Sequence, residues 1–134
     1  MVESFWTIPA NEALRTPLTI LREQATALTE QTKGTLVGEA EVLKQGDQKI
    51  SIGLSIRVPA LNDYKYRILT YDQPVTMYPG SLVTRIGNMT GHGILNEDDF
   101  VQQLKHLLSS EEAQRLLTSL LAQANEAEPL APRA

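Results

Sequence analysis

From Lys49 to Val58 polar or small residues alternate with apolar ones without a break: Lys-Ile-Ser-Ile-Gly-Leu-Ser-Ile-Arg-Val. Successive side chains of a strand point to opposite sides. Ile50, Ile52, Leu54, Ile56 and Val58 therefore share one face, and Lys49, Ser51, Gly53, Ser55 and Arg57 share the other. A slip of one residue would carry the whole apolar set into water, so the register is firmly specified. The pattern predicts a half-buried strand of an antiparallel sheet, with one face on a core and the other toward solvent.

The rest of the chain divides by the same criterion. Thr16-Pro17 opens a helix, with Thr as N-cap and Pro at the first helical position. Leu18, Leu21, Ala25 and Leu28 recur at helical spacing, and Gly34 is the stop. From Thr35 the period becomes two, with Leu36, Gly38, Ala40 and Val42 against Val37, Glu39, Glu41 and Leu43. Gln45–Gln48 turns this strand into the Lys49–Val58 strand as a hairpin. Tyr64 to Tyr71 predicts a third strand, Val75–Tyr78 a short fourth and Leu82–Ile86 a fifth, with turns at Asp72-Gln73-Pro74 and Pro79-Gly80.

Gly87 to Gly93 reads as a loop. Asn96 then caps a helix starting with three acids, and Phe100, Val101, Leu104, Leu107 and Leu108 form its stripe. Ser109-Ser110 recaps for a last helix striped by Ala113, Leu116, Leu117, Leu120, Leu121 and Ala124. The expectation is an α+β domain over residues 1–125: an N-terminal helix, a meander of four or five antiparallel strands, and two C-terminal helices on one sheet face. Residues 126–134, with Pro129 and Pro132, read as a disordered tail. Phe5-Trp6-Thr7-Ile8-Pro9 is expected to lie against the core as an arm or short strand.

Composition narrows the chemistry. At 134 residues the chain can bury a core without staples, and it has no cysteine, so thiolate catalysis and cysteine metal sites are excluded. This suits a reducing cytoplasm. The start lacks the basic and apolar regions of a signal peptide, and no run is long enough for a membrane span. A net charge of −4 disfavours nucleic acid as partner.

Four constellations remain, each beside a plainer reading. His92 lies between glycines in Gly87–Gly93, where an acid, base or ligand role is conceivable. The spacing is not that of a phosphate-binding loop, and a connecting loop is the simpler account. His106 falls on the polar side of its helix, and no His-x-x-x-His pair exists, so no metal or cofactor is expected. Glu39 and Glu41 share a strand face, but an open sheet rarely raises a carboxyl pKa as acid–base catalysis needs. Tyr64-Lys65-Tyr66-Arg67 has the aromatic–basic alternation of single-strand platforms, yet alternation sends the tyrosines and the bases to opposite faces.

The reading that survives is a non-catalytic protein-interaction module, of the adaptor, inhibitor or subunit kind. It would act through the open sheet face or a helical surface, with a second copy or another chain as partner. Ser51, Ser55, Arg57, Lys65 and Arg67 are its candidate contact residues, and a homodimer through the last helix or an edge strand is compatible with it. The alternative is a small-ligand binder or enzyme with a site at Gly87–Gly93, including His92, where the following helix start could hold an anion.

Overall fold

Helix α1 (Pro17–Gln31) starts as its sequence dictates: the Thr16 hydroxyl accepts the Thr19 N–H at 3.1 Å and Pro17 occupies the first turn. It ends at Thr32, after which Lys33 and Gly34 take left-handed backbone. The Thr32 hydroxyl donates back to Leu28 O and receives the Leu36 N–H, tying the helix end to the chain that follows. These features come from a computed structural model that describes residues 3–7, 9, 14–86 and 91–127, with His92 described by its backbone alone.

Strands β1 (Val37–Gln45), β2 (Ile50–Val58), β3 (Tyr64–Gln73), β4 (Gly80–Thr84) and β5 (Gly91–Ile94) form one antiparallel sheet in the order β1-β2-β3-β4-β5. Helices α2 (Glu97–Leu108) and α3 (Glu111–Ala127) complete the α+β chain. Asn96 caps α2 by accepting the Asp99 N–H at 2.9 Å, and Asp99 reciprocates toward Leu95 N–H. Of the tail expected over 126–134, Glu126 and Ala127 are the last residues of α3, and the rest lies outside the described residues.

Every helix buries its stripe on the same side of the sheet. Ile20, Leu21 and Ala25 of α1, Phe100 and Leu104 of α2, and Ala113, Leu120 and Ala124 of α3 enclose Ile52, Leu54, Ile56 and Val58 of β2. Tyr71 and Phe100 stack at 4.7 Å between ring centroids, with Tyr78 completing an aromatic cluster. Burial pushes the Tyr78 hydroxyl up to about 12, with the Glu97 carboxylate adding to it, so it stays neutral at physiological pH.

Three expectations along the chain change. Val75–Tyr78 is a turn, because Pro74 has no N–H for a ladder and Met77 folds back to donate to Pro74 O at 2.8 Å. The Tyr71 hydroxyl holds that turn through Met77 O at 2.7 Å. Gly91 to Gly93, expected as loop, is strand β5, whose main marker is the fully buried Ile94; Gly87–Thr90 lie outside the described residues. Finally, Phe5 and Trp6 do not lie on the core: they are 90% and 84% exposed.

The tightest approach in the layering is between α1 and β1. A Cβ on Gly38 would overlap the carbonyl oxygen and Cα of Ala25, so helix and strand meet backbone to backbone. The Thr29 hydroxyl takes the Gly38 N–H at 2.9 Å while donating to Ala25 O, which satisfies an outward group of the edge strand. Gly38→Ala should therefore lower stability in urea denaturation by about 1–3 kcal/mol, since neither backbone can retreat. Gly93→Ala, where an added Cβ meets nothing within 4 Å, should stay within about 0.5 kcal/mol of wild type.

Candidate interaction surface

No described helix covers the second face of the sheet. Register places Glu39 and Glu41 of β1 opposite Ser55 and Gly53 of β2, and Arg67 and Thr70 of β3 opposite the same two residues. Val83 and Ser81 of β4, paired with Thr70 and Asp72, continue the surface. Its make-up follows from the alternation that buries the other side, with two irregularities.

The first irregularity is in β1. The ladder skips between Val42 and Lys44, leaving Leu43 as an extra residue. Leu43 lies over Gly53: a Cβ there would come within 2.7 Å of Leu Cδ1. The second is in β3, where Leu54 pairs with Leu69 and Ser55 with Arg67, so Ile68 is the inserted residue. The bulge turns both Ile68 and Leu69 into the core. Tyr66 and Ile68 thus face the helices in the first half of the strand, and Leu69 and Tyr71 in the second.

These shifts decide how the candidate residues stand. Ser55 is 1% exposed, beneath the level of its neighbours, and its hydroxyl finds no hydrogen-bond partner among the described residues. Ser51 donates to the Asp72 carboxylate at 2.5 Å. The small polar strip that alternation marks out is therefore the floor of the surface, and longer side chains form its top. His92 lies apart, at the register position opposite Leu82 on edge strand β5, away from the other five.

The top is an ion-pair lattice. Arg57 Nε donates to Glu39 at 2.8 Å and its Nη1 to Asp63 at 2.9 Å. Lys65 Nζ reaches Glu41 at 2.7 Å and Glu39 at 3.2 Å. Each pair is partly exposed, so no single one adds much stability. Together they fix the side chains: sharing Glu39 between two cations limits the freedom of all three. The hydrogen bond from Arg57, then the one from Lys65, holds the Glu39 carboxyl below its ordinary value, while the bonds to Glu41 and Glu39 raise Lys65.

Arg67 differs. Its Nε is buried with no hydrogen-bond partner among the described residues, and it has no ion pair among them either. It stands directly across the ladder from Ser55 and beside Gly53. Two polar groups without a partner among the described residues thus sit on paired residues at the centre of the face. The sequence signals only the cation; that no described residue pairs with it is visible only in the folded chain.

The fold and surface define an open-faced α+β sheet domain. Comparison with known protein families, with characterised proteins and with solved structures finds nothing that matches this chain.

Acid should test the lattice. Glu39 has a depressed folded-state pKa, so its stabilisation is fully present above the ordinary carboxylate value of 4.5 and is lost as pH falls through the folded value. Melting temperatures measured from pH 7 to pH 3 should drop at the acid end, and Glu39→Gln should flatten that drop while lowering the melting temperature at pH 7. An unchanged acid slope in Glu39→Gln would show that the lattice is not coupled to folding.

Proposed function

We propose that this chain is a non-catalytic interaction module that receives a protein partner on its open sheet face. The observation that carries the reading is Arg67: a guanidinium at the centre of an uncovered sheet, flanked by charges that are already paired. A carboxylate from a partner would supply the anion that no described residue of this chain does, in the forked geometry that arginine favours. Glu39, Glu41, Arg57 and Lys65 surround that point in held positions and would select partners by charge complementarity more than by area. Thr70 and Val83 provide flatter ground beside it. The absence of cysteine supports a cytoplasmic setting.

The test uses tagged full-length chain in its native lysate. Wild type should retain a stoichiometric companion. Arg67→Glu and Thr70→Arg, both on the open face, should weaken retention at least about tenfold with unchanged circular dichroism. A companion retained equally by both variants, or no companion at all, would reduce the face to solvated surface.

A further inference from the structure

The register orders the open face into rows that run across the strands. The middle row is Glu41, Gly53, Thr70 and Val83. On one side of it lie Glu39, Ser55 and Arg67, and on the other Lys44, Ser51 and Asp72. Across the same three strands the outer rows are therefore anion–serine–cation and cation–serine–anion. Each is the charge inverse of the other.

Three of these four outer charges are unspent. Lys44, Arg67 and Asp72 form no ion pair among the described residues, and the Asp72 carboxylate accepts the Ser51 hydroxyl. The middle row is less polar. Leu43, extruded by the β1 bulge, lies over Gly53, and the half-buried Thr70 and Val83 continue it. An apolar centre between polar margins is the anatomy of a protein interface.

We propose that the partner of the open face is a second copy of this chain, stacked sheet to sheet about a two-fold axis along the middle row. The proposal rests on the reading of this face as a partner surface and names the partner. Such an axis exchanges the outer rows. It brings Arg67 of one copy over Asp72 of the other, and Glu39 over Lys44, each contact occurring twice. Aligned stacking of two sheets is an ordinary packing geometry. The like charges that meet are already neutralised: Glu41, which faces itself, by Lys65, and Arg57, turned toward the Lys49 end of β2, by Glu39 and Asp63. About ten side chains of each copy take part, against roughly 20–30 in a standard interface. The dimer is accordingly weak, and dilution leaves the face of the monomer open.

Sedimentation of the purified chain should show a mass that doubles as concentration rises. Arg67→Asp or Asp72→Arg alone sets like charges against each other and should weaken dimerisation at least about tenfold, with unchanged circular dichroism. Lys44→Glu, at an exposed side chain, should act in the same direction. An equimolar mixture of Arg67→Asp and Asp72→Arg should dimerise again, because each variant then meets opposite charge at both contacts. Three results overturn the proposal: a monomer at every concentration, a dimer that all three single variants leave intact, or a mixture no better than its components. If a different companion is then lost from the lysate on Arg67→Glu, the open-face reading stands with another protein as partner. If no companion exists, both fall.

Discussion

Everything in this fold hangs on a sheet that the described helices cover on one side only, and strand β2 is where that constraint is imposed. Its five aliphatic side chains all reach the helices, and four of them are at most 3% exposed. Each such burial is worth about 1.5–3 kcal/mol, a large part of a total that is only about 5–15 kcal/mol for a domain. With β1 on one side and β3 on the other, β2 cannot slip without exposing the set. The helices follow: α1 is seated by the backbone contact at Gly38, α2 by Phe100 on Tyr71, and α3 by Ala113, Leu120 and Ala124.

The uncovered side inherits its chemistry from the same alternation. Because the core takes every second residue, the others must be polar, small or able to lie flat. Leu43 and Arg67 do lie flat, over Gly53, and this is why a strip of serine and glycine becomes a floor beneath a lattice of charges. The carboxylates of Glu39, Glu41 and Asp63 hold Arg57 and Lys65, whereas Arg67 has no anion among the described residues. Specificity on such a surface would come from fixed charges.

Much of this was legible in the residues. The three helices, their caps at Thr16, Asn96 and Ser110, and the first hairpin are local features, and local features leave local marks. What was not legible depends on tertiary context. Val75–Tyr78 alternates like a strand but is captured by the Tyr71 hydroxyl. Gly91–Gly93 has the composition of a loop, yet β4 supplies a ladder for it to join. The bulge at Ile68 reverses the facing of half of β3, and nothing in Tyr-Lys-Tyr-Arg-Ile-Leu distinguishes that from regular alternation. On the open face of these strands the accessible residues are the long ones above Ser55, and Ser55 itself is buried.

The absence of cysteine makes the most direct measurement simple. Single cysteines placed one at a time at Glu41 and Val83, on the open face, and at Leu69 and Leu82, on the helical face, can be followed by thiol labelling of the native protein. The first two should react at close to the rate of a free thiol, whereas the second two should react only through unfolding. Protection at Glu41 and Val83 in the purified protein, or rapid labelling at Leu69 and Leu82, would contradict a sheet covered on one face alone.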